Sequence, residues 1–160
     1  MSLSTALQQR LVLQQESLPE LVKGLPDDLL KEQVIPGKWS AIGQVAHLTA
    51  YQPVFLQRVK LMEQGNSPVF QRYVAEDDPV FREYCSAPAP ELLSNYHTTR
   101  FIINNHLTAL PEATLRKQGV HPLFGQFSIS QWTEFFLLHE AHHLFVLFTL
   151  TAVIRNRNQS

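Results

Sequence analysis

Hydrophobic positions recur with helical spacing in four stretches of the chain, and Gly, Pro and Ser punctuate the gaps between them. In the first stretch, 4–23, Leu7, Leu11, Leu18 and Val22 fall on related faces. Gly24 ends it, Leu25-Pro26 marks the exit, and Pro19 predicts a bend or split inside it. The second stretch, 40–64, has Ser40 as its N-cap, closes at Gly65-Asn66-Ser67-Pro68, and should kink at 49–53 because of Pro53. The third, 90–110, opens on Pro90 and stops before Pro111. The fourth, 128–155, opens on Ser128-Ile-Ser-Gln131, which matches a capping box. Residues 25–39, 66–89 and 111–127 read as irregular connections, with short helical turns expected around 80–85. Four long helices and no convincing strand predict an all-α four-helix bundle, one domain over 1–160.

Composition narrows the classes. An apolar share of 44% against 17% charged describes a globular chain long enough to bury a core. Net charge is −1 and the basic residues are scattered, apart from Arg155 and Arg157, which argues against nucleic acid and against an acidic membrane as partners. A lone cysteine, Cys85, rules out an internal disulfide and reads as an ordinary buried or surface thiol. The first residues, Met-Ser-Leu-Ser-Thr-Ala, lack the charged and apolar regions of a signal peptide. The segment 135–154 has the length of a membrane span, but His139, Glu140, His142 and His143 would be costly in lipid, so a cytoplasmic location is expected.

Candidate chemistry lies in the histidines. Steps of four and three along the fourth helix give Trp132, Phe136, His139, His143, Val146, Leu150 and Val153, a bundle seam in which two histidines replace core hydrophobes. One turn apart, both can reach one ion. His47 shares a face of the second helix with Gly43, Ala50, Val54 and Leu61, and three converging imidazoles would suit Zn, Ni, Fe or Co. The competing reading makes them core histidines hydrogen-bonded to backbone or to one another. His97 and His106 read as surface or packing residues, and His142 as exposed or supporting. The run His139-Glu140-Ala-His-His143 also fits the His-Glu-x-x-His signature of zinc peptidases, with Glu140 as general base. A third ligand downstream is absent, and helical geometry turns Glu140 about 100° from His139.

Taken in order, Trp39-Ser-Ala-Ile-Gly-Gln-Val-Ala-His47-Leu48, Arg100, His121-Pro-Leu-Phe-Gly125-Gln-Phe-Ser128 and His139-Glu-Ala-His-His143 resemble the DinB-like (YfiT-like) superfamily of metal-binding four-helix bundles, over roughly residues 5–154. The resemblance implies one divalent metal ion, Zn or Ni foremost, on His47, His139 and His143. It also implies frequent homodimers, in keeping with the apolar Leu144, Phe145, Leu147 and Phe148. Where many members carry a polar Gln-Ile ending after the last histidine, this chain reads Leu-Phe-Val-Leu-Phe.

Similarity to the family further implies an enzyme that activates a thiol or water for transfer to, or hydrolysis of, a small molecule, with a low-molecular-weight thiol as a second cofactor. Glu140 and Arg100 are then the catalytic candidates. Arg100, Trp39, Tyr51 and His121 are the candidates for holding cofactor or substrate, Arg100 through a carboxylate and His121 as a cap from the loop. The other class is a non-catalytic metalloprotein or interaction module in which the ion ties the second helix to the fourth.

Overall fold

The computed structural model describes residues 3–157, so both ends of the expected 1–160 domain lie outside the described residues. The first helical stretch is split as Pro19 predicts, by a 3-10 turn at Gln14–Glu16 between α1 (Thr5–Leu13) and α2 (Ser17–Val22). Pro19 thereby falls in the first turn of α2, where its missing N–H has no partner to lose. A short α3 (Asp27–Lys31) lies in the first connection. α4 (Ala41–Glu63) starts at the expected cap, with the Gly43 N–H donating to Ser40 Oγ at 3.1 Å, and carries the exposed Pro53 within it.

The second connection contains α5 (Pro79–Tyr84), where short helical turns are expected, and leads into α6 (Ala89–Ala109) and the single turn α7 (Glu112–Leu115). α8 (Ile129–Arg157) opens with the capping box closed both ways: the Gln131 N–H donates to Ser128 Oγ at 3.2 Å and the Ser128 N–H to Gln131 Oε1 at 2.8 Å.

The expectation of no strand is corrected in the third connection. β1 (Gln118–His121) and β2 (Gly125–Ser128) form an antiparallel hairpin, and Val69 bridges in parallel to Val120. Two hydrogen bonds sew the strap at 68–70 to it, Phe70 N–H to the Val120 carbonyl at 3.1 Å and Val120 N–H to the Pro68 carbonyl at 2.8 Å. Gly119 permits this approach, since a Cβ there would sit 2.7 Å from the Phe70 ring and 2.9 Å from the Met62 side chain. Strands of four residues are too short to display an alternating pattern.

α4 packs against α6 and α8, and α1 packs against the same two, so α6 and α8 face each other diagonally. The apolar core divides into two clusters. One gathers Leu18, Val22, Ile42, Val45, Leu92, Leu147 and Ile154, the other Leu7, Leu11, Phe55, Val59, Ile103, Trp132 and Phe136. A polar layer lies where the four helices meet. Arg100 and Glu140, both buried, form an ion pair; Tyr96 Oη donates to Glu140 Oε1, Gln14 Nε2 donates to Glu140 Oε2 at 2.7 Å, and Arg100 Nε donates to Gln52 Oε1 at 3.1 Å.

This layer corrects the expected seam of α8. Its buried stripe runs Trp132, Phe136, Glu140, Leu144, Leu147, Leu150 and Ile154, while His139 and His143 are half-buried at the edge facing α4 and Val146 and Val153 are half-buried. Long and apolar enough to cross a membrane by length and composition, α8 carries a buried ion pair at its middle. Its outer face exposes Leu138, Phe145 and Phe148.

Replacing Glu140 by Gln leaves the Arg100 charge buried without its counter-ion and should lower the unfolding free energy by about 3–5 kcal/mol. Urea denaturation checks this, as a fall in midpoint with the slope unchanged.

Candidate metal centre

His47 projects from α4, and His139 and His143 project from successive turns of α8. Their Nε2 atoms converge: His139 Nε2 is 3.0 Å from His47 Nε2 and 3.2 Å from His143 Nε2, and one ligand atom from each of the three lies within 4.8 Å of the others. Nitrogens on a tetrahedral zinc would lie about 3.3 Å apart. Burial, and after it the neighbouring imidazoles, pushes all three pKa values down to about 3, so the rings are neutral and their lone pairs available at neutral pH.

Proton bookkeeping shows that this cluster is not satisfied by hydrogen bonds alone. His143 Nδ1 faces Gln44 Oε1 at 2.7 Å, so its ring proton sits on Nδ1 and its Nε2 is a bare acceptor. His139 Nε2 can donate to His143 or accept from His47, and one nitrogen of a neutral ring cannot do both. Nδ1 of His47 and of His139 are buried without partners. Three bare Nε2 lone pairs aimed at one point fit a divalent cation, which removes the conflict.

Aromatic rings brace the histidines. The Trp39 ring packs 5.1 Å from that of His47 and is stacked 6.3 Å from that of His143. Gly43 makes room for it, since a Cβ there would lie 2.8 Å from Trp39 Cβ. Tyr51, one turn after His47, has its ring 5.1 Å from His139 and 6.3 Å from His47. Burial raises its pKa, against the opposing pull of Arg58.

A cavity of about 280 Å³ opens on His47 and His139, walled by Tyr51, Arg58, Tyr73, His121, Phe124 and Phe135. Of the predicted cofactor or substrate residues, Tyr51 and His121 line it, and Trp39 sits behind the histidines in a separate groove with Gln44 and His142. His121 closes the hairpin turn, its Nδ1 accepting from the N–H groups of Leu123 at 3.1 Å and Phe124 at 3.2 Å.

Arg100 and Glu140 lie in the polar layer and not at the cavity. Both are spent on each other and on Tyr96, Gln14 and Gln52. Glu140 is thus not placed as the base of a His-Glu-x-x-His peptidase. Sequence reasoning missed Gln44, Arg58, Gln71, Arg72 and Tyr73. For Arg58 a signal was present, because residues 47, 51, 54 and 58 share one helical face. His97 meets Gln15 Oε1 at 3.4 Å, His106 pairs with Glu63 at 2.5 Å, and His142 is exposed. Cys85 is half-buried, and burial raises its pKa.

Residues 10–147 match the family model of the DinB superfamily. The chain belongs to the DinB superfamily. This agrees with the motifs from Trp39 to His143. Among solved structures, the DinB fold of this chain is similar to YfiT from Bacillus subtilis, with a TM-score of 0.80 at 18% identity, covering 98% of this chain and 91% of that one. YfiT is described as a probable metal-dependent hydrolase with an unusual four-helix bundle topology. At that identity the match establishes the DinB fold. No curated protein matches the chain.

Gln44 orients the His143 ring, so Gln44→Leu should weaken cobalt binding by about 10–100-fold. Titration followed by d–d absorption, with chelator competition, measures the change.

Proposed function

We propose that this chain holds one divalent ion, zinc or nickel, on His47, His139 and His143 and is a metal-dependent enzyme that hydrolyses a small molecule. The observation that carries the reading is the opening of the triad onto a cavity, which leaves a coordination position free for a ligand other than protein. Such an ion, when bound, is a Lewis acid that lowers the pKa of a water or thiol towards neutrality. The chain's own groups do the rest. Tyr51 stays a neutral phenol whose oxygen accepts from Arg58 Nη1 at 3.3 Å, so its O–H proton remains free to donate. The rings of Tyr73 and Phe135 restrict water, and His121 supplies the cavity with a titratable imidazole beyond the triad.

Thiol transfer is the neighbouring activity, and the same open position would serve a low-molecular-weight thiol. The structural alternative draws on the ligand set, which ties α4 to α8 at one level. A homodimer belongs to the reading as well, because a second copy would cover the exposed Leu138, Phe145 and Phe148.

Plasma mass spectrometry on untagged protein should find about one ion per chain in the parent and none in His139→Ala. The loaded protein should hydrolyse a member of a panel of small amides and esters, lose turnover on chelation and regain it with added zinc. Bound metal without turnover of any panel member, and with a large fall in melting temperature on chelation, would assign the structural role. No metal in the parent after supplying zinc and nickel would end the proposal.

A further inference from the structure

One wall of the cavity carries a cation that has no counter-charge among the described residues. Arg58 lies three turns beyond His47 on α4, and its side chain turns back along the helix, as long helical side chains do. Nη1 donates to Tyr51 Oη at 3.3 Å and Nη2 to the Gln71 carbonyl at 2.7 Å. The guanidinium carbon stands 5.3 Å from the centre of the Phe70 ring, 5.7 Å from Trp132 and 5.9 Å from Tyr51. The head group is therefore held in place, with three of its five N–H bonds unspent.

Among the described residues no carboxylate lies within 4 Å of Arg58, and no Asp or Glu lines the cavity. Asp77 and Asp78 line a separate groove that Arg58 also borders, and Asp78 is taken by Tyr73 Oη at 2.8 Å and by the Val80 N–H at 2.8 Å. Arg72 adds a second positive charge to the same wall. An oriented, unpaired guanidinium in a cavity that also holds a cation site is built for an anion.

The geometry selects among anions. A planar fork suits a planar carboxylate. A phosphate is held best by a cradle of backbone N–H groups, and those of the hairpin's turn, which could have formed one here, are already given to His121 Nδ1. With Nδ1 accepting, the neutral His121 ring carries its proton on Nε2, which provides a second donor. Phe124 and Leu123, both exposed, and Phe135 offer an apolar contact facing this polar wall. A volume of about 280 Å³ sits at the small end of ligand sites, so the occupant is a small molecule and not a peptide.

We propose that the substrate is a small carboxylic acid with an apolar or aromatic body, its carboxylate paired with Arg58 and its body against Phe124 and Phe135. This rests on the enzyme reading above and assigns Arg58 as its specificity-determining residue. The test measures binding by calorimetry, so it does not depend on turnover. Zinc-loaded protein is titrated with 3-phenylpropanoate, with the neutral 3-phenylpropanamide, and with phenylphosphonate. The acid should bind at least about tenfold tighter than the amide, Arg58→Gln should weaken the acid by about 10–100-fold with the amide unchanged, and Arg58→Lys should fall between.

Metal content is read on every sample. Equal binding of acid and amide, or no saturable binding of the acid up to about 10 mM, overturns the proposal. So does an acid preference that survives Arg58→Gln, because the carboxylate would then sit on the metal. Tighter binding of phenylphosphonate than of the acid overturns the choice of carboxylate. If the parent holds no metal and the Arg58-dependent preference persists, the acid site stands and the hydrolase reading fails.

Discussion

Arg100 and Glu140 hold opposite charges together in the middle of an apolar bundle, and all four long segments are bound to that pair. Glu140 belongs to α8, Arg100 and Tyr96 to α6, Gln52 to α4, and Gln14 to the 3-10 turn after α1. A buried charge pair is tolerable only when its remaining donors and acceptors are met, so each helix has one rotation and one height at which the layer closes. The break in the first helix falls where Gln14 must also donate to the Leu137 carbonyl, at 2.8 Å. The pair thus ties α8 to its diagonal neighbour at the level between the two apolar clusters.

The histidine cluster depends on that constraint. With Glu140 turned to the bundle's centre, His139 points about 100° away, towards α4, and His143 follows one turn later on the same side. A slip of one residue would bring a different pair of side chains to His47 and leave a carboxylate in hydrocarbon. The two polar groups are therefore complementary uses of one helix: a charged residue inward for register, and neutral imidazoles at the edge, open to the cavity. Gln44 and Trp39 fix ring orientation from the α4 side, so the triad is supported from both helices.

Much of this was legible from short-range chemistry. Ser40 and the Ser128–Gln131 box act within one turn and mark helix starts whatever the tertiary context, and both behave as read. The convergence of the three histidines was legible as one of two readings, from i, i+4 spacing on one helix and a ring on another, and the resemblance to DinB-like proteins favoured it. Arg100 stood out through the family resemblance and Glu140 through the His-Glu-x-x-His run, but a sequence does not tell which cavity wall or which partner a charge will meet. They turned out to answer each other. The hairpin was hidden because Gly119 and Gly125 remove side chains from strands of only four residues, leaving no alternation to detect. Arg58 carried a signal, since it shares a helical face with His47 and Tyr51, but its distance from His47 along α4 is closed only by a side chain that folds back to Tyr51.

The hairpin has a kinetic consequence. It is stapled at both ends of β1: at the base the Ile129 N–H donates to the Lys117 carbonyl at 3.0 Å, and one residue before the turn Val120 pairs with the strap at 68–70, so that only a three-residue turn held to one imidazole lies beyond the staples. Opening the mouth of the cavity therefore asks for the excursion of a few residues and not the separation of helices. Motions of that size run on the nanosecond-to-microsecond scale. A molecule leaving the cavity would meet a fast gate, and residence there would be set by its contacts with the walls and not by the opening of the fold.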